Sequence, residues 1–320
     1  MPLNARTGTL TSDAASPIDR VVDLGRMIDP DPLVRTGRNW TRWAGPAFSL
    51  VILAAVAYQL RKFDFSHFVR PLPESPGFWL AFLMFYLAGP VSEWIIFRRL
   101  WTLPVEGFFA LLRKLVSNNI LLGYLGEVYF YAWARRNAHV SAAPFGAIKD
   151  VSILSALTGN LVTLAMVVVS APLFRALRLG IDGKAFVLST VFVTIISLAA
   201  LLLRKRLFTL PRHELWIIAA IHFARIFATI LLAAVMWHIL LPAVALSWWL
   251  LLGTLRQLVT RLPFLPNKDV VFAGLAVFFV GNDADIASAM ALMAALTLAT
   301  NLLVGAMLGA SELLREGQAR

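Results

Sequence analysis

The sequence predicts an all-α fold, a polytopic transmembrane helical bundle, and three observations predict it. Hydrophobic residues make up 59% of the chain and charged residues 15%, against about 45–50% and about 25% in a soluble domain. The apolar excess gathers in blocks of roughly 18 to 26 residues, the length that crosses about 30 Å of hydrocarbon. Inside those blocks the apolar residues run on without alternating, which argues against an outer-membrane barrel. The same composition excludes a soluble enzyme and a disordered protein.

The elements follow in chain order. Residues 1–42 read as a polar cytoplasmic tail, disordered or lying on the surface. Asp29-Pro30-Asp31-Pro32 interrupts any helix there, because proline lacks an amide hydrogen and restricts the residue before it. The tail has no apolar core of the kind a secretory signal needs. The transmembrane domain is expected over 43–310, with a short cytoplasmic tail at 311–320. Its first span runs about Trp43–Leu60 and its second about Phe78–Phe97. An interrupted stretch, Val105–Trp133, carries Arg113, Lys114, Asn118, Asn119, Gly123, Gly126 and Glu127 within apolar sequence. Spans resume at about Val151–Phe174, Ala185–Leu203 and Leu215–Leu240. Two shorter apolar pieces, Ser247–Leu262 and Asp269–Gly281, flank a break containing Pro263 and Pro266. The last span is Asp285–Gly309.

Charge sets the orientation. The net charge is +11, a value that in a soluble protein would point to nucleic acid. Here the Lys and Arg residues sit in short loops and orient the spans, so no nucleic acid partner is expected. Placing both termini in the cytoplasm puts 22 of the 29 basic residues on that side. This arrangement has about eight crossings, and it requires Val105–Trp133 to enter and leave from the cytoplasmic face.

The two interrupted stretches read alike. Leu115-Val116-Ser117 leads to Glu127-Val128-Tyr129-Phe130, and Leu258-Val259-Thr260 leads to Asp269-Val270-Val271-Phe272. They are read as two broken or re-entrant segments of an internal repeat. Irregular backbone at membrane depth needs protein or a water-filled cavity to satisfy it. Paired broken segments in the two halves of a membrane protein point to a transport site.

Candidate substrate-binding residues follow from the same physics. Arg225 lies about ten residues into its span, where a charge costs about 2.5–3.5 kcal/mol even on the insertion scale. It shares a helical face with His222 and Thr229. It either lines a polar cavity for an anionic group such as a lipid phosphate or pairs with Glu93 or Glu127. Glu93 is either a site carboxylate or a partner of the nearby Arg98 and Arg99. Glu127 follows two glycines, which permit close backbone approach. Asp269 is either a site residue or the N-terminal cap of a helix. Asn118 and Asn119 bind a substrate or satisfy the broken backbone. The chain has no cysteine, and its five histidines are scattered. No metal-binding, Walker, Rossmann or Ser-His-Asp pattern is present, so neither a metal nor a cofactor is expected.

The order of these features resembles the transmembrane region of the lysylphosphatidylglycerol synthase family, a flippase-like integral membrane module. The likeness covers most of residues 45–310. Gly126-Glu127 match its first motif, though the proline is missing and Phe130-Tyr131 stand where an arginine is expected. Pro266 and Asp269 match the second, with Asn267-Lys268 in place of glycines. The resemblance implies translocation of an anionic or aminoacylated lipid, or of a lipid-linked substrate, in a bacterial cytoplasmic (inner) membrane. It implies no catalysis, and no aminoacyl-transferase domain is expected beyond the last span. The implied partners are membrane lipids and a lipid-modifying or glycosyl-transferring enzyme. The alternative is a non-catalytic membrane partner of an envelope- or lipid-synthesis complex. A membrane-embedded lipid-phosphate enzyme is disfavoured by the scattered acids.

Overall fold

The computed structural model describes residue 54 and residues 72–101, 103–121, 125–137, 144–176, 183–203, 207–261 and 283–318. The N-terminal tail, all but residue 54 of the span expected at Trp43–Leu60 and the piece expected at Asp269–Gly281 lie outside the described residues, as do Gly123, Pro263, Pro266 and Asp269. The described residues form eight helices. They are α1 (Pro76–Leu100), α2 (Glu106–Ile120), α3 (Leu125–Asn137) and α4 (Pro144–Ala176), then α5 (Gly183–Leu202), α6 (Arg212–Leu240), α7 (Leu246–Arg261) and α8 (Asp283–Gln318). Among the described residues, α1, α4 over 144–166, α6 and α8 over 288–311 are long and apolar enough to cross a membrane.

Local chemistry explains the boundaries. Pro76 opens α1 at a position whose N–H has no intrahelical partner in any case. Arg98 and Arg99 close the helix, where cations complement the dipole. Pro90 lies inside α1 and is buried. It gives no N–H to the carbonyl one turn back, a loss that packed membrane helices tolerate. α4 begins at Pro144, seven residues before the expected start of its span, so Asp150 lies within the helix and not at its beginning. The tail expected from residue 311 continues α8 to Gln318, because Glu, Leu and Arg there are good helix formers.

The interrupted stretch is a helix hairpin. α2 ends at Ile120 and α3 starts at Leu125. Their contacts run antiparallel: Lys114 faces Glu127, Asn118 faces Gly126, and Arg113 faces Tyr129. With 15 and 13 residues, the two helices are roughly 22 Å and 20 Å long at about 1.5 Å per residue, each short of the hydrocarbon thickness.

α1 and α6 form the spine, packed along their lengths in opposite directions. They carry two apolar cores at their two ends. One joins Phe78 and Phe82 of α1 to Met236 and Trp237 of α6, Trp249 and Leu252 of α7, and Leu292 and Leu296 of α8. The other joins Ile96 and Phe97 of α1 to Leu111 of α2, Phe130 of α3, Val151 of α4 and Ile218 of α6. Between these cores lies a polar layer: Tyr86 and Glu93 on α1, and His222, Arg225 and Thr229 on α6. Both helices turn apolar side chains outward as well. Leu80, Leu83, Met84 and Ile95 of α1 and Trp216, Phe223 and Phe227 of α6 are exposed. A helix that is apolar outside and polar within fits lipid as its surroundings.

Candidate functional site

The polar layer has two compartments. The first is a charge cluster where α1, α2 and α3 meet. Lys114 is buried, and its Nζ donates to Glu93 Oε1 at 2.8 Å and lies 3.4 Å from Glu127 Oε1. Asn118 of α2 binds the start of α3 twice, donating to Glu127 Oε2 at 3.1 Å and accepting from the Gly126 N–H at 2.8 Å. Gly126 is required by packing. A Cβ there would stand 2.3 Å from the Lys114 carbonyl oxygen, a backbone atom that cannot swing aside. The missing side chain therefore lets α3 approach α2 closely enough for Glu127 to reach Lys114.

Arg225 stands beside this cluster. It is thirteen residues from the start of α6 and fifteen from its end, about 20 Å and 22 Å at about 1.5 Å per residue, hence mid-span. Its Nη2 donates to Ser155 Oγ of α4 at 3.0 Å. Glu93 lies within electrostatic reach of it, without ion-pair contact. Two cations, Lys114 and Arg225, thus stand near two carboxylates, Glu93 and Glu127. His222 is completely buried. Its ring makes no well-formed hydrogen bond and faces the Val151 backbone.

These contacts bear on two pairings that the sequence leaves open. Glu93 is bound to Lys114 and not to Arg98 or Arg99. Arg99 instead makes a two-pronged pair with Glu214, at 2.7 and 3.1 Å, between the end of α1 and the start of α6. Arg225 is not ion-paired with Glu93 or Glu127, because Lys114 already occupies the space between those carboxylates. In the sequence Lys114 gives no site signal, because beside Arg113 it reads as part of a basic stretch.

The second compartment is a cavity of about 600 Å³. It is lined by Asn119 of α2, Thr229 of α6, Arg256 and Gln257 of α7, and Thr297 and Asn301 of α8, with Phe85, Trp237 and Met293 among its apolar walls. Arg225 is not in the lining; Thr229, one turn further along α6, is. Asn301 anchors the cavity floor, its Oδ1 accepting from Tyr86 Oη at 3.0 Å and from Asn119 Nδ2 at 3.3 Å. That links α1, α2 and α8. Tyr86 and Asn301 gave no signal in sequence, since a single polar residue in an apolar run looks like any tolerated substitution. Of the seven expected site residues, Glu93, Glu127 and Asn118 share the charge cluster. Arg225 and His222 adjoin it, Asn119 belongs to the cavity, and Asp269 lies outside the described residues. Among the described residues no group of three His, Asp or Glu could hold a metal ion.

A further polar contact holds the layer's edge in place. Asp150 of α4 is completely buried. Its Oδ2 accepts from Thr209 N at 2.7 Å, Thr209 Oγ1 at 2.9 Å and Leu210 N at 2.8 Å. This fixes the segment that leads into α6. Gly146 makes room for it: a Cβ there would stand 2.9 Å from Thr209 Oγ1.

No protein-family model, no curated protein and no solved structure matches the chain.

Proposed function

We propose that this chain is a flippase-like transporter that carries a lipid or lipid-linked substrate past the polar layer between its two apolar cores. The cavity at the middle of α6 carries the reading. A cavity of 600 Å³ is the size of a small-molecule site, about 300–1,000 Å³. Its amide and hydroxyl groups give a head group polar surface inside an otherwise apolar bundle. Outward-facing side chains of α1 and α6 are apolar, so acyl chains can stay in lipid while a head group enters the polar layer.

The finer arrangement belongs to the same proposal. The chain crosses eight times with both termini in the cytoplasm of a bacterial inner membrane, and the α2–α3 hairpin is re-entrant from the cytoplasmic face. The charge cluster seals the hairpin against α1, while Arg225 lends positive potential next to the cavity without lining it. Transport needs no catalytic residue, cofactor or metal. The cluster's internal pairing also favours a second reading, a non-transporting membrane partner of a lipid- or envelope-synthesis enzyme. The two part in vesicles. Purified protein reconstituted with a head-group-labelled phospholipid should make inner-leaflet label accessible to an impermeant quencher, at least about tenfold faster than empty vesicles. Protein-containing vesicles that flip no faster than empty ones, with labelled anionic, zwitterionic and aminoacylated lipids alike, would leave the partner reading.

A further inference from the structure

The α1–α6 pair carries arginines at one end. Arg99 and Glu214 join the end of α1 to the start of α6, so Arg98 and Arg212 stand at the same end of the bundle. Both are exposed. Neither has an acidic partner among the described residues. Arg98 lies over the Trp94 ring, 4.9 Å from its centroid. Glu214, the acid nearest Arg212 in sequence, is held by Arg99 through two bonds of 2.7 and 3.1 Å. His213 Nδ1 lies 3.6 Å from the same carboxylate. The two exposed arginines of α3, Arg135 and Arg136, add positive charge at this end.

Each of the two arginines heads a stripe of outward apolar side chains. On α6, Arg212, Trp216, Phe223 and Phe227 fall within about 60° of one another at about 100° per residue, and all four are exposed. On α1, Arg98, Ile95, Val91 and Met84 fall within an arc of similar width and are exposed as well. Trp216 and Phe227 are about 16 Å apart along the helix at about 1.5 Å per residue. That is about half of the 30 Å hydrocarbon thickness, the depth of one leaflet. The face is therefore cationic at its end, aromatic one turn in and apolar for a leaflet below. A phospholipid has the same order of polarity: phosphate, glycerol ester, acyl chain. Arginine binds phosphate through a planar fork, and tryptophan favours the ester level of a bilayer.

We propose that the outward faces of α1 and α6 at this end bind anionic phospholipids of the adjacent leaflet, with phosphates at Arg98 and Arg212 and acyl chains along the stripes below them. The net negative charge of the lipid selects it, and the alcohol on its phosphate does not. The inference needs only the membrane setting of the two helices, and it stands whether or not the chain transports anything.

Native mass spectrometry of the full chain in neutral detergent tests it, with phosphatidylserine, phosphatidylglycerol and phosphatidylcholine of identical acyl chains titrated separately. Each basic residue near an anionic lipid surface favours binding by about fivefold. Both anionic lipids should therefore bind at least about tenfold more tightly than phosphatidylcholine. Arg98→Gln with Arg212→Gln should bring all three within about twofold, with circular dichroism unchanged because both side chains are exposed. If that double variant does not fold, Arg212→Gln alone should lower the preference by at least about threefold. Arg135→Gln with Arg136→Gln removes the same charge at the same end, away from the two stripes, and should leave most of the preference. Equal binding of the three lipids by the wild type, or a preference lost equally in the α3 variant, overturns the site. Displacement of bound lipid by millimolar glycerol 3-phosphate overturns a lipid as the occupant. So does a stable dimer in detergent that Phe223→Ser splits, since a second copy of the chain would then cover the face.

Discussion

Replacing Lys114 with alanine should destabilise the protein by about 3–5 kcal/mol, the penalty for removing one partner of a buried ion pair. The lysine is buried and is paired with two carboxylates from two different helices, Glu93 at 2.8 Å and Glu127 at 3.4 Å. Without it both acids would be left facing one another, and the α2–α3 hairpin would lose its charge link to α1. The variant should show a melting temperature several degrees lower in detergent. Lys114→Ala combined with Glu93→Gln and Glu127→Gln should recover much of the loss, since it removes the charges that were stranded. A single variant as stable as the wild type would show that solvent, and not the lysine, neutralises these carboxylates.

A loss of similar size is expected at Asp150. Its buried carboxylate takes the backbone N–H groups of Thr209 and Leu210 together with the Thr209 hydroxyl. Stranding two buried backbone donors costs about 1–3 kcal/mol each, so Asp150→Ala should cost about 2–6 kcal/mol. The Lys149 Nζ is 3.3 Å from the other carboxylate oxygen. That contact matters less, because Lys149 is partly exposed and such pairs contribute roughly 0–1 kcal/mol. Lys149→Ala should therefore change little. Hydrogen exchange would locate the effect: in Asp150→Ala the amides of residues 209–215, at the entry to α6, should lose protection first. Protection lost equally across all the helices would contradict a local latch.

The physics that made the helices legible differs from the physics that made the site. Spans such as Phe78–Phe97 and Leu215–Leu240 were readable because continuous apolar sequence of that length has few alternatives. The break before Glu127 was readable because asparagine, glycine and charge are costly within apolar sequence. Arg225 stands in the middle of α6, but its neighbours are not legible in the sequence. Which acid meets which base depends on how α1, α2 and α3 pack, and Gly126 sets that distance through an absent side chain. The cavity was least legible. It is assembled from single polar residues on α2, α6, α7 and α8, each unremarkable alone, and only the antiparallel pairing of α1 and α6 brings Tyr86, Thr229 and Asn301 to one level. Arg225, one turn from Thr229, lies outside the lining, and its guanidinium donates to Ser155 of α4 instead.

The proposed role of the cavity in moving lipid is tested most directly by filling it. Thr229 lines the cavity and is half-buried, so Thr229→Phe places an aromatic ring in space that is open in the wild type. The measurement is the flipping rate of a head-group-labelled anionic phospholipid in vesicles containing wild type or Thr229→Phe at equal protein density, with melting temperatures taken alongside. The expected result is a rate at least about tenfold lower, with a melting temperature within about 3 °C of wild type, less than a core mutation would shift it. A well-folded Thr229→Phe that flips lipid at the wild-type rate would contradict the account, because lipid would then be crossing by a route that avoids this cavity.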